Sequence, residues 1–514
     1  MNRQVRTDKY SNQPRHGNRL RDRLAGLGDR VPLLRSLWLA GLAGAGDLAL
    51  LGVPAFALLN TAGFFWMLSA ASSPASWLLV EIFGAQAALG LLLGAHQLLT
   101  RPVPPAGVEV SRDRAPLLFE LVERRLAEYH LPRVDHIRLT TGAELRWVET
   151  PRRILPGASR HTLCIGLPLL FFLSDKQFHA LLRSTLAQWD WRQHPLDTWI
   201  RRRAACWAQF SRACETPARL PGAALLARPV QSFARLLGEQ AAETVDSLDL
   251  VRDNHTREVL DDEQLLALLA AETVCAAYLD QRFWPMIDAA AERTPEPVLK
   301  PFSNFGVFLE RMLCREEADR WLLRALAQSA SRARQHCGLR HRLEVLGYNQ
   351  LRWPGLPGQA AFHALFGEQG RTTARELDRF WQDQVREEWR DRYQSFRAEQ
   401  SRFRRLHEAA ARAPLTGARA RDYVKLAPRF LASEEALQAL RTAWLNNQGD
   451  PALCFECGRR LLAAGDEQGV AAVETAMQID QAWANEGAAL ISEFERRYRA
   501  GARTRKLYAV GQTA

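Results

Sequence analysis

Residues 163–189 read LCIGLPLLFFLSDKQFHALLRSTLAQW, and how this run is parsed decides the fold. Its start, within HTLCIGL (161–167), has the apolar, partly β-branched character of a short strand. PLLFFLS follows, and then QFHALLRSTLAQW (177–189), an apolar helix carrying Ser184 and Gln188 one turn apart. Side chains at i and i+4 share one side of a helix. In metal-binding helices that spacing serves two ligands; here it holds a hydroxyl and an amide.

Upstream, DHIRLTT (135–141) and LRWVET (145–150) read as two more short strands. APLLFELVERRLAEYHL (115–131) is an amphipathic helix with Leu117, Leu118, Leu121, Val122 and Leu126 on one face. Downstream, the Gly/Pro-rich ETPARLPGAALLARPVQ (215–231) reads as a loop or surface-associated segment, and helices dominate after it. The run 374–413 lacks Gly and Pro and sets Leu377, Trp381, Val385, Trp389, Tyr393 and Phe396 at three- and four-residue spacing among dense charges. Such a stripe is a packing seam, so a long connecting helix is expected.

Farther out, no charged residue occurs between Leu48 and Val80, and Glu81 is the only acid before Arg101. A bilayer core needs about 20 apolar residues per helix, so two spans are expected, near 46–69 and 77–99, joined by SAASSPAS. No A-x-A-type cleavage site follows a single short apolar core, unlike a removed signal peptide. The first 35 residues carry nine Arg and Lys, from Arg3 to Arg35, and Arg101, Arg112 and Arg114 follow the second span. The connecting turn is uncharged, so the positive-inside rule puts both ends in the cytoplasm. Asp47 and Glu81 are expected at the span edges, hydrated or packed between helices.

The net charge of +11 comes almost wholly from arginine, since lysine occurs only at 9, 176, 300, 425 and 506. With no RNP, zinc-finger or helix-turn-helix signature beside it, the charge reads as solvated helix faces and a basic membrane flank, and nucleic acid is not an expected partner. The cysteines are dispersed, as in a reducing compartment. The one CxxC pair, Cys454 and Cys457, has no second pair and no βαβ context, so buried small hydrophobes are expected there.

Three segments together, APLLFELVERRLAEYHLPRVDHIRL, LCIGLPLLFFLSDKQFHALL and QHCGLRHRLEVLG (335–347), resemble successive signatures of the membrane-embedded HtpX / CAAX-prenyl-endoprotease family of zinc metallopeptidases. The resemblance covers roughly 40–350. It implies a zincin-like α+β domain behind a membrane hairpin, in the bacterial inner membrane with the soluble parts cytoplasmic. In that family the second segment runs into AHExxH, whose histidines bind zinc and whose glutamate is the general base. Aligned so, Ser184 and Gln188 take the histidine positions and Thr185 the glutamate position. The family's E-x-x-x-D glutamate falls on Ala242 when Asp246 is the aspartate, and a one-residue slip brings in Glu243. A hydroxyl and an amide are poor zinc donors, and Thr185 cannot take a proton from water near neutral pH. His336 and His341 belong to the closing segment, while His194 and His255 are isolated.

The tail DPALCFECGRRLLAAGDEQGVAAVETAMQIDQAWANEGAALISEFERR (450–497) resembles a tetratricopeptide unit, with Gly458, Leu461, Gly465, Asp466 and Asp480 at pattern positions. It runs one residue short between Asp466 and Asp480 and has Gln481 where proline is usual. The expectation is therefore a mostly α chain with a small β-sheet: a basic segment (1–45), a transmembrane hairpin (46–100), a degenerate zincin-like domain (101–350), a helical connector (351–415) and a TPR-like tail (416–514). Its expected role is that of a catalytically inactive, pseudoprotease-type scaffold without a cofactor, with Ser184, Thr185, Gln188, Glu243 and Asp246 in a vestigial cleft. It would bind a membrane-protein client or an active protease. The alternatives are an active zinc endopeptidase with other ligands and a membrane-anchored TPR-type scaffold.

Overall fold

The computed structural model describes residues 32–70, 72–99, 104–151, 159–190, 195–215, 223–327 and 338–510. The chain is mostly helical, with one four-stranded mixed sheet and two N-terminal apolar helices. It divides into two units, one of residues 1–287 and 299–384 and the other of residues 288–298 and 385–514.

The first unit opens with helices α1 (Pro32–Ala70) and α2 (Pro74–Leu99), both long and apolar enough to cross a membrane. They pack closely: a Cβ on Gly90 would lie 2.9 Å from the Ala57 Cα. Their outer faces are bare, with Leu48 70% and Leu59 73% exposed, whereas a soluble core helix buries such residues. α1 starts at Pro32, well before the span read from 46, so part of the expected basic segment is helix. At 39 residues, it measures about 58 Å at 1.5 Å per residue, against about 30 Å of bilayer hydrocarbon. Two later helices, α6 and α7 below, cover that early part.

The sheet has order β1-β2-β4-β3, from β1 (Val108–Glu109), β2 (His136–Thr140), β3 (Leu145–Pro151) and β4 (Ser159–Gly166). β2 and β4 are parallel, pairing Leu139 with Ile165, and the two outer pairs are antiparallel. The amphipathic helix α3 (Pro116–Glu128) buries Leu118, Leu121, Val122 and Leu126, while Leu117 is exposed. β4 passes through Gly166 directly into α4 (Leu167–Phe172). Any Cβ at Gly166 would meet the Gly142 carbonyl oxygen at 2.1 Å, so the turn into α4 needs glycine there. Ser174 and Gln177 then form a capping box, in which the Ser174 amide donates to Gln177 Oε1 at 2.9 Å and the Gln177 amide donates back to Ser174 Oγ. It starts α5 (Asp175–Ala187), the helix of the opening stretch.

Helices α6 (Pro195–Glu215), α7 (Ala223–Arg257) and α8 (Asp262–Tyr278) follow. α6 runs along α1 in the same direction: Ser36 Oγ donates to Asp197 at 3.0 Å, Leu39 packs on Ile200, and Leu50 joins the cluster of Trp207, Phe210 and Cys214. α7 returns the other way, its Val230 and Ala234 in that cluster and its Ala241 beside Leu39. A π-turn (Leu279–Phe283) leads from α8 into α9 (Trp284–Ala290), and α10 (Phe305–Met312), α11 (Arg315–Ala327), α12 (Leu339–Leu346) and α13 (Ala361–Phe366) complete the surroundings.

The expected connector is α14 (Gly370–Arg412), which begins in the first unit and ends in the second. Its stripe is a seam: Leu377, Trp381 and Trp389 are buried, and the Trp389 indole donates to the Thr294 carbonyl at 2.9 Å. The second unit continues with α15 (Gly417–Phe430), α16 (Ser433–Asn446), α17 (Pro451–Ala463), α18 (Gln468–Ile479) and α19 (Ala484–Val510). α17 and α18 touch through glycines: a Cβ on Gly458 would sit 2.8 Å from the Gly469 carbonyl oxygen and 2.6 Å from Val473. Gly465 takes the left-handed conformation after α17, at φ +85°.

Candidate functional site

α5 packs on α7, on α3 and on β3, so the opening stretch lies inside the first unit. Ser184 is 0% exposed, and its hydroxyl donates to the Leu181 carbonyl of its own helix at 3.1 Å. Thr185 is buried with Oγ1 unpartnered. Gln188 caps the helix end and gives its backbone carbonyl to the Arg201 guanidinium. Ala242, Glu243 and Asp246 lie on α7, and their side chains fall outside the described residues, as does His336. Two hydroxyls, one turned back on its own helix, and an amide make a donor set that does not fit a zinc ion. Among the described residues no group of three His, Cys, Asp or Glu side chains is placed to hold a metal.

The buried chemistry next to α5 is a group that sequence reading missed, centred on consecutive arginines 201–203 of α6. Glu149 of β3, only 5% exposed on its side chain, has Arg202 Nε 3.0 Å from Oε2 and accepts from the Trp147 indole at 3.4 Å. Gln209 Nε2 donates to the Glu149 carbonyl at 3.1 Å. Arg203 pairs with Asp47 of α1, which also accepts from the Trp207 indole at 3.3 Å. Asp47 is thus a helix-packing residue. Arg201 holds the Gln188 carbonyl and covers the Trp189 ring at 4.3 Å from its centre. Burial brings the Arg201 pKa down to about 10, against the pull of Glu149 and with Arg202 pushing the same way. Thr150, Thr198 and Gln209 each keep a buried polar atom without a hydrogen-bond partner around this group. The signal available to sequence reading was the run RRR inside an otherwise amphipathic helix, but nothing local names its partners.

His161 of β4 stacks on Trp147 at 5.4 Å, while its backbone amide donates to Asp135 at 2.7 Å. Burial lowers the imidazole pKa, against the raising effect of Glu149 at 3.7 Å and of Asp135. A histidine with a lowered folded-state pKa stays neutral when folded while the unfolded chain takes up its proton. Its neutral packing therefore costs no protonation energy above the unfolded value of about 6.5, and stability falls as pH drops through it toward the folded pKa. Melts between pH 7.5 and 5 are expected to show the wild type losing stability more steeply than His161→Gln. The difference is at most about 1.4 kcal/mol per pH unit, the limit for one proton. Parallel profiles would refute the assignment.

The second unit carries a cleft of about 430 Å³ between the end of α14 and one face of α16. His407 Nδ1 lies 3.0 Å from the Tyr423 hydroxyl on its floor. Pro414, Leu415 and Leu431 give it apolar wall, and Gln438, Thr442 and Asn446 line the α16 side at four-residue spacing. Cys454 and Cys457 are fully buried in this unit's core, and burial pushes their thiols up to about 11 and about 12. They are packing residues, not a redox pair. No protein-family model, no curated protein and no solved structure matches the chain.

Proposed function

We propose that this protein is a membrane-anchored scaffold that binds protein segments and is built on a catalytically inactive, HtpX-like metallopeptidase domain. The observation that carries the reading is Ser184: the histidine position of the resemblance is a fully buried hydroxyl spent on its own helix backbone. With Thr185 at the base position, no group there activates water. In this reading α1 and α2 span the bacterial inner membrane and both ends are cytoplasmic, supported by their length, their bare apolar faces and the flanking arginines. The α14–α16 cleft, which precedes the segment that resembles a tetratricopeptide unit, is where a client peptide is held. Its two carboxamides, Gln438 and Asn446, suit the backbone of an extended segment, and its apolar wall suits one or two side chains.

The deciding measurement is metal content and proteolysis on the purified full chain. We expect less than stoichiometric zinc after dialysis and no cleavage of unfolded membrane-protein substrates beyond a blank. One tightly bound zinc per chain together with chelator-sensitive cleavage would overturn the proposal in favour of an active peptidase.

A further inference from the structure

Between Asp197 and Glu239 the chain carries seven arginines and one acid, Glu215. Arg201, Arg202 and Arg203 are spent inside the unit, on the Gln188 carbonyl, Glu149 and Asp47. Arg212 of α6 and Arg228 and Arg235 of α7 are exposed instead. Arg212 Nε donates to the Ala208 carbonyl of its own helix at 3.4 Å. Among the described residues no hydrogen bond or ion pair engages the Arg228 or Arg235 guanidinium.

Contacts with α1 fix the depth of these three side chains. The Trp207 indole donates to Asp47 and meets the Phe233 ring at 4.4 Å, and that ring faces Gly46. α6 runs with α1 and α7 against it. Arg212, five residues after Trp207, and Arg228, five before Phe233, therefore reach one depth, about 7 Å past that contact. This is the level of Leu51, where the face of α1 is already bare, and Arg235 lies just to the other side of the contact. Ala227, Val230, Ala234 and Leu237 turn toward α1, while Arg228 and Arg235, two helical turns apart, share another face of α7.

From Leu51 to the end of α1 at Ala70 is about 28 Å, close to the thickness of a bilayer's hydrocarbon core. The exposed Trp66 and Trp77 lie toward its far end, where aromatic residues gather at a membrane interface. Arginines at the near end lay their stems along apolar surface and lift their guanidinium groups to the headgroups. A soluble acidic protein is kept from that depth by the bilayer itself.

We propose that the α6–α7 hairpin lies in the membrane surface and that Arg212, Arg228 and Arg235 bind the headgroups of anionic phospholipids there. This rests on the reading in which α1 and α2 cross the bilayer.

The test uses the full chain in liposomes of phosphatidylcholine and phosphatidylglycerol. Washing with sodium carbonate first establishes whether the chain is integral. Spin-labelled forms of the two lipids then report which one the protein immobilises. The wild type is expected to prefer phosphatidylglycerol, and less so at high salt. Each of Arg212→Gln, Arg228→Gln and Arg235→Gln lowers that affinity about fivefold. The corresponding lysine variants keep most of it, because a headgroup surface reads charge more than the geometry of the fork. Melting in an uncharged detergent stays at the wild-type value in all of them, as expected for exposed positions. A carbonate-resistant wild type without the preference, or a folded triple glutamine variant that keeps it, overturns the headgroup site and leaves the surface to an acidic protein. Release of the wild type by carbonate overturns the membrane reading itself.

Discussion

Arg342→Ala is expected to destabilise the first unit by about 3–5 kcal/mol, the cost of leaving a buried charge without its partner. Arg342 sits in the closing segment GLRHRLEVLG and forks onto Asp253 of α7, Nε to Oδ2 at 2.7 Å and Nη2 to Oδ1 at 2.6 Å. The Asp253 side chain is 3% exposed, and Glu272 of α8 lies 3.5 Å from the same guanidinium and 3.1 Å from Arg252. Four charges from α7, α8 and α12 thus close on one another inside the fold. Removing the arginine takes both short bonds from the buried Asp253 carboxylate and leaves it the more distant Arg252, 3.9 Å away and shared with Glu272. Arg342→Lys recovers only part of the loss, because a single ammonium cannot make both bonds of the fork. The check is a double-mutant cycle by thermal melting: Asp253→Asn combined with Arg342→Met should lose clearly less than the two single substitutions added together. Strict additivity would show that the pair contributes nothing as a pair.

The strand runs DHIRLTT, LRWVET and HTLCIGL and the long aromatic helix were readable, because alternation and three-to-four spacing are local signals that burial then enforces. β1 has two residues, Val108 and Glu109, too short for any period. Hydropathy marks an apolar run and not where a helix begins, so the start of α1 at Pro32 was not legible from it. Residues from Pro32 onward stay helical because α6 and α7 supply Ile200, Trp207 and Ala241 as a covering surface. Position 184 was legible as a hydroxyl on an apolar helix, which the fold buries against its own backbone, while the arginines on α6 were not legible as a buried charge group. Their partners Glu149, Asp47 and the Gln188 carbonyl stand between 13 and 156 positions away in the chain, and no local pattern encodes pairing at that distance. Ion pairs are also interchangeable in sequence: any of many arginines is a candidate partner for Asp47 until packing selects one.

Asp47→Ala is expected to be comparably costly, about 3–5 kcal/mol, because it leaves Arg203 unpaired beside the apolar hairpin. The two side chains are 14% and 12% exposed, and the Trp207 indole completes the carboxylate's shell at 3.3 Å. Around them Gly46 leaves no slack, since a Cβ there would fall 2.5 Å from the Phe233 ring. The surroundings therefore cannot relax to admit water to a lone guanidinium. Replacing both partners with apolar residues, Asp47→Leu with Arg203→Met, removes the charges together and should restore most of the stability, since well-packed hydrophobic substitutes for a buried pair are often neutral or better. The comparison is read as folded, monodisperse protein surviving a heat step in detergent and again in lipid nanodiscs. A double variant as unstable as Asp47→Ala would mean that the cost lies in lost side-chain packing and not in the unpaired charge. A single variant as stable as the wild type would mean that Arg203 finds another acceptor, which in nanodiscs and not in detergent points to a lipid phosphate.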